Sequence, residues 1–421
     1  MVTISPFKAL RPAAEMARQV ASRPYDVLNS KEAKTEVQGN NVSFLHITKS
    51  EIDLPETTDV HAHEVYVTAK ENLDAFISRK ILFRESKACY YIYELQMPAR
   101  AGSDGTTKSQ TGLVCGSSVD DYENGLIKKH EFTRPEKELD RINHIKTTGA
   151  QTGNVFLAYR NVAEVDALIN KWKEKSPVYN FTADDDIQHT VWIVNDDDTI
   201  EKITNLFKEK VPCTYIADGH HRAASAAKVR AALGSNAPEG AGIFLTTLFP
   251  ADELYIMDYN RVVTDLNGLS DEEFLSAVAN NFLVEKAAKA FSPAQLHEIG
   301  MYLNSQWYRL TAKKNSYSED PIGVLDISIL QNNLLNPVLG IKDQRTDKRI
   351  DFIGGIRGLH ELEKRVNSGE MAVAFSLHPV TIQQLFTIAD SGQVMPPKST
   401  WFEPKLRDGL LTHLIAAAEV E

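Results

Sequence analysis

The chain has 421 residues, and at about 150 residues per domain that length calls for two or three structural units. Hydrophobic residues at 43% and charged residues at 24% match an ordinary globular protein and exclude disordered and fibrous classes. The formal net charge of -11 excludes a broad cationic face for nucleic acid and leaves room only for a local basic pocket.

The opening Met1 to Phe7 lacks the basic stretch and apolar run of a secretory signal. No segment reaches the roughly 20 apolar residues of a membrane span. A cytoplasmic location without a membrane partner is therefore expected. Cys89, Cys115 and Cys213 form no C-x-x-C pair and lie near no histidine at zinc-finger spacing, so they read as reduced, mostly buried thiols.

In chain order, Tyr25 and Asp26 follow Pro24 in an extended stretch, where Asp26 is placed to meet a substrate amine, although turn chemistry explains it nearly as well. Residues 90–95 read as a strand. A helix is expected after Thr133, which stands three residues before Glu136 as in a capping box, with Pro135 in the first turn and Gly149 as the stop. Leu139, Ile142 and Ile145 give that helix a narrow apolar stripe. Arg134, Lys137 and Arg141 read as a solvated, salt-bridged face. Strands are expected at 155–159 and 190–194; just before the second, His189 is a candidate contact while Trp192 reads as core. Asn267-Gly268 ahead of Ser270-Asp271-Glu272-Glu273 marks a turn into a new helix, dividing the chain into 1–265 and 266–421. Beyond it, strand 349–353, helix 359–366 and strand 372–377 suggest a right-handed βαβ unit. Helix 381–389 then leads into an ordered loop at 395–402. The alternation as a whole indicates a mixed α/β (α+β) architecture.

One junction stands out. Residues 211–217 are β-prone and 223–233 are alanine-rich and helical, so Asp218-Gly219-His220-His221-Arg222 lies where a strand turns into a helix. The first N–H groups of such a helix lack intrahelical partners and attract anions. His220, His221 and Arg222 occupy the turn where the macrodipole opposes cations, a conflict that a bound phosphate removes. Gly219 permits close backbone approach. The plainer reading makes Asp218 an N-cap and leaves the histidines in solvent.

The five-residue string resembles the signature of the superfamily containing ParB, sulfiredoxin and the free-serine kinases. Pro6-Phe7-Lys8-Ala9-Leu10-Arg11-Pro12, Pro24-Tyr25-Asp26-Val27, Ser43-Phe44-Leu45-His46, the stretch from Asp121 to Thr133, and Met395-Pro396-Pro397-Lys398-Ser399-Thr400 resemble landmarks of the family called domain of unknown function ten-fifteen. At Asp258-Tyr259-Asn260-Arg261-Val262 the chain has Asn260 where many relatives carry histidine, which leaves Arg261 as the residue to follow. The resemblance implies a ParB/sulfiredoxin-like nucleotide-binding core with a C-terminal α/β extension, whose closing loop reaches the site.

It also implies a nucleotide-dependent phosphotransferase acting on a small hydroxy-amino acid, with free L-serine as the best single acceptor. On that reading ATP or ADP is the donor and Mg2+ offsets charge. Glu131 is the base, with Asp218 and His221 beside it in the catalytic set. Gly219, His220, His221, Arg222, Arg141, Lys398, Ser399 and Thr400 hold the nucleotide. Tyr25, Asp26, His130 and His189 meet the substrate, and Asp218 is the metal ligand. Two alternatives remain: a ParB-like nucleotide-switched DNA-binding regulator, for which the acidic total offers no basic face, and a non-catalytic nucleotide-binding module. A sulfiredoxin-like reductase needs a thiolate where His220 stands.

Overall fold

The computed structural model describes residues 1–98 and 107–416. The architecture is mixed α/β and divides into two compact units, Met1–Leu254 with Pro404–Glu421, and Tyr255–Glu403. Among the described residues no helix is long and apolar enough to cross a membrane. The division falls before the expected 265/266 boundary because the strand Tyr259–Val263 pairs with strands Ile350–Gly354 and Val373–Leu377 of the second sheet. The end of the chain, by contrast, belongs with the first unit: His413–Leu414 pairs with Ala150–Gln151, and Ser22 pairs with Asp408.

The first unit is built on a nine-stranded sheet. Its central strands are Thr214–Asp218, Val155–Tyr159, Ile243–Pro250, Lys108–Ser118 and Tyr90–Met97, in that spatial order. Val155–Tyr159 and Ile243–Pro250 run parallel, whereas Thr214–Asp218 runs antiparallel to Val155–Tyr159. Leu157, Ile216, Phe207 and Val194 are fully buried in one core cluster. Ala223, Ala224, Ala226 and Ala227 join that cluster, which explains the alanine run: small side chains let the helix His220–Leu233 lie close against the sheet.

The helix Pro135–Thr148 packs on His220–Leu233, where Lys228 pairs with the buried Glu138 carboxylate and the Ser225 hydroxyl donates to the Glu138 carbonyl at 3.2 Å. Two expectations for this helix are corrected. Its N-cap is Arg134 rather than Thr133, and the Thr133 hydroxyl instead donates to Glu138. Its buried residues are Glu138, Arg141, His144, Ile145 and Thr148, while Leu139 is 57% exposed. The face expected to be solvated thus contributes Arg141 to the interior, because Asp140 beside it on the same helix and the Tyr25 ring supply carboxylate and aromatic partners. Gly149 does end the helix, at φ 68° in the left-handed region.

The second unit carries a six-stranded sheet in the order Phe282–Ala287, Gln306–Ala312, Glu298–Leu303, Val373–Leu377, Tyr259–Val263, Ile350–Gly354. Strands Ile350–Gly354 and Val373–Leu377, joined by the helix Leu359–Asn367, are not neighbours as a simple βαβ unit requires. Tyr259–Val263 lies between them and is antiparallel to both. Ser270 caps Asp271–Val278 through a capping box with Glu273.

Candidate functional site

The sheet pairing between Thr214–Asp218 and Val155–Tyr159 shifts register between Ile216 and Asp218, a bulge that re-aims the end of the strand. Gly219 follows at φ 95°, ψ 30°, and is itself the N-cap of the 14-residue helix His220–Leu233, without a side-chain cap. Asp218 therefore does not cap the helix, which removes the plainest explanation for it. A Cβ on Gly219 would lie 3.3 Å from the Val155 Cα and 3.4 Å from the Arg222 guanidinium. The turn needs glycine for both conformation and space. Its first N–H groups receive no cap from the N-cap residue, a glycine, and are aligned to receive an anion.

Arg222 sits beside this tip. Its guanidinium donates to the Asn154 carbonyl and, at 3.1 Å, to Asp26 Oδ2, and it lies 3.7 Å from Asp218 Oδ2. Its Nε is buried without a hydrogen-bond partner. Burial opposes the charge, but Asp26 and Asp218 outweigh that cost and hold Arg222 protonated. Asp218 also accepts from Lys405 Nζ at 3.1 Å. Burial raises the Asp218 carboxyl, yet Lys405 and Arg222 overcome it and hold the group well below the usual carboxylate range.

Arg222 lines an open cleft together with Tyr25, Arg141, Gln151, Thr152 and Gly153. The Arg141 guanidinium lies 4.0 Å from the Tyr25 ring centroid and 2.7 Å from Asp140. Burial pushes the Tyr25 phenol up to about 12, against the opposing field of Arg141.

The histidines behave differently from the expectation of a cationic cluster. His220 is buried, its ring packed edge-on against His130 at 4.6 Å, and its Nε2 accepts the His130 backbone N–H at 3.5 Å. That bond leaves the ring proton on Nδ1, which lies 4.0 Å from Glu131 Oε2. Burial, and then the adjacent His130, hold the His220 value well below that of a free imidazole. Burial likewise lowers His130 to about 4, and its Nδ1 has no partner. His221 accepts the Arg134 backbone N–H at 2.9 Å through Nε2, and burial lowers it too. These imidazoles are neutral at pH 7, because two imidazolium groups cannot be desolvated side by side. Arg222 is thus the cationic member of the turn.

The structure brings Glu131, His130, His220, His221, Asp218, Gly219, Arg222, Tyr25, Asp26 and Arg141 into one region of the first unit. His189 lies elsewhere: it is fully buried, bonded to Tyr93 at 2.8 Å and to Arg407 at 3.3 Å, and stacked on Phe181. Burial and then Arg407 push it down to about 3, so it reads as a packing residue under the returning chain. Lys398, Ser399 and Thr400 belong to the second unit, where Arg261 donates to the Lys398 carbonyl at 2.9 Å. Asn260 accepts the Leu377 N–H at 3.0 Å and is structural.

Sequence reasoning missed Asp140, Lys405 and Asp408. Asp140 carried a signal, since it directly precedes Arg141. Lys405 and Asp408 carried none, because only the return of residues 404–416 to the first unit places them here. Among the described residues no group of three histidine, cysteine or acidic side chains converges as a metal site, and Asp218 is engaged with Lys405. The described residues do not form a protein cage for Mg2+.

Fold and site together define a two-unit α/β protein with an uncapped glycine turn at a strand-to-helix junction, flanked by a partly paired arginine. The chain belongs to the family described as "Protein of unknown function (DUF1015)", whose profile matches residues 4–328. No curated protein matches it. Solved structures similar to it include a conserved hypothetical protein from Pyrococcus furiosus, at 13% identity and TM-score 0.37, covering 75% of this chain and 97% of that one. Another is a free serine kinase in complex with AMP, at 12% identity and TM-score 0.36, covering 71% and 91%. A third is C-terminally truncated SbnI from Staphylococcus aureus, at 11% identity and TM-score 0.40, covering 72% and 87%.

Proposed function

We propose that this protein is a nucleotide-dependent phosphotransferase that phosphorylates a small hydroxy-amino acid, with free L-serine the first acceptor to test. The observation that carries the reading is the Gly219 turn. A helix N-terminus whose N-cap is glycine, a positive φ there with only tight space for a Cβ, and Arg222 at a cleft form a receptor for phosphate oxygens. The motif's resemblance to nucleotide-gripping turns points the same way.

In this reading the turn holds the donor's phosphates through backbone N–H groups, ATP and ADP being the candidate donors. Glu131 takes the proton of the acceptor hydroxyl as its oxygen attacks the terminal phosphorus and the bond to the leaving phosphate breaks. Neutral His220, with its Nδ1 proton toward Glu131, steadies that carboxylate as an acceptor rather than competing for the proton. Asp218 orients Lys405 and Arg222 beside the phosphates. Among the described residues no set of ligands stands ready for Mg2+.

The test incubates the protein with ATP or ADP, with and without Mg2+, and a panel of hydroxy-amino acids, scoring phosphorylated products by mass spectrometry. Phosphoserine is expected. Nucleotide binding without turnover on any acceptor would leave a non-catalytic module. Glu131→Gln is expected to cut turnover by about 10²- to 10⁴-fold, the usual range for a general base, with nucleotide affinity retained. Unchanged turnover removes Glu131 from the role.

A further inference from the structure

The charges around the cleft pair off until one is left. Asp140 pairs with Arg141 at 2.7 Å, Asp26 with Arg222 at 3.1 Å and Asp218 with Lys405 at 3.1 Å. Asp408, delivered by the returning end of the chain, has no ion pair among the described residues. It is 2% exposed, and its Oδ2 is buried without a hydrogen-bond partner.

Two further buried polar atoms nearby are equally unsatisfied. Arg222 Nε is one. A Cβ on Gly153 would stand 3.9 Å from that atom and 3.7 Å from Asp408 Oδ1, so glycine separates the arginine and the acid at close quarters. The other is Ser22 Oγ. Ser22 and Asp408 exchange backbone hydrogen bonds of 3.1 and 3.0 Å, and residues paired in this way direct their side chains to the same face. Buried polar atoms are almost always satisfied, so the orphans of Arg222 and Asp408 beside Gly153, with that of Ser22 paired to Asp408, mark a place for a polar ligand. That ligand presents a positive donor to Asp408 and an acceptor to Arg222 Nε.

We propose that Asp408 and Arg222 recognise the two charged ends of an α-amino acid, Asp408 taking the ammonium and Arg222 Nε–H the carboxylate. This rests on the phosphotransferase reading and deepens it: the acceptor is chosen for its ammonium, by a residue beyond the 4–328 stretch that the family profile matches. Ser22 Oγ gives the ammonium a second acceptor. Burial raises the Asp408 carboxyl to about 7, against the opposing field of Arg222, which is the condition of an acid lacking its cation.

The experiment measures binding of L-serine and of 3-hydroxypropionate, which keeps the hydroxyl and carboxylate but has no amine, by calorimetry on the full chain with ADP present. The wild type is expected to prefer L-serine by at least about tenfold, and Asp408→Asn to erase that preference while ADP affinity is unchanged. Equal binding of the two probes by the wild type, or a preference that survives Asp408→Asn, overturns the proposal. A wild type that takes up no nucleotide defeats the phosphotransferase reading instead, so the two failures are distinct.

Should Asp408→Asn fail to fold, the wild type supplies its own control. Asp408 is faced by Arg222, Arg141, Asp26 and the Tyr25 backbone N–H, and His221 lies near Asp26. Between pH 8 and pH 6 Asp408 takes up its proton, and the preference for L-serine is expected to shrink severalfold. A preference flat across that range overturns the assignment.

Discussion

Asp408 illustrates how a single side chain carries opposed demands. Burial without a partner favours its neutral form, so its folded value of about 7 lies above the ordinary carboxyl value of 3.8. For a raised acid, the stability contribution is full below the unfolded value and is lost as pH rises through the folded one. Asn mimics the neutral acid. Asp408→Asn is therefore expected to be more stable than the wild type at pH 8, by about 2–4 kcal/mol, and no more stable at pH 4. Urea unfolding at the two pH values checks this, and a variant less stable at pH 8 would show that Asp408 already has a cationic partner. The same logic separates Asp408 from Asp218, whose carboxylate is held ionised by Lys405 and Arg222.

At the level of elements, the strand, turn and helix that run from Thr214 to Leu233 are held by local rules and close packing together. The bulge before Asp218, the positive φ of Gly219 and the alanine face of the helix are each needed for the next. Gly219→Ala is expected to cost about 1–2 kcal/mol for a left-handed conformation with a Cβ, and more if the contact with Val155 does not relax. Denaturant unfolding measures that loss. Nucleotide affinity is expected to fall in the same variant, because the N–H groups that meet the phosphates move with the turn. Retained affinity would place the anion site elsewhere. Helix Pro135–Thr148 teaches a related point: its periodicity suggested Leu139 for the core, yet Arg141 and His144 are buried and Leu139 is exposed.

Across the whole molecule, buried neutral histidines tie stability to pH. His130 and His144 are lowered to about 4 and His189 to about 3, all chiefly by burial. A histidine with a lowered folded value stabilises the fold above its unfolded value near 6.5, and this is lost as pH falls, because the unfolded chain binds more protons. Around pH 5 these three imidazoles make unfolding take up about three protons while Asp408 releases about one, leaving a slope of about 3 kcal/mol per pH unit. Melting temperatures from pH 7 to pH 4.5 are expected to fall steeply, and His144→Gln to flatten the curve. A melting temperature unchanged over that range contradicts the buried neutral state.

Sequence alone determined what depends on neighbours along the chain. The strand at Val155–Tyr159, the helices that begin after Ser270 and Thr381, the stop at Gly149 and the strand-glycine-helix junction at Gly219 follow from propensity and backbone conformation. Tertiary structure decided what depends on burial and on distant partners. It made His130 and His220 neutral, placed Arg141 on Tyr25, consigned His189 to packing, and returned Lys405 and Asp408 to a site they do not adjoin in sequence. The reason is physical: backbone preferences are set within a few residues, whereas desolvation and charge pairing depend on which groups the fold brings within a few ångströms of one another.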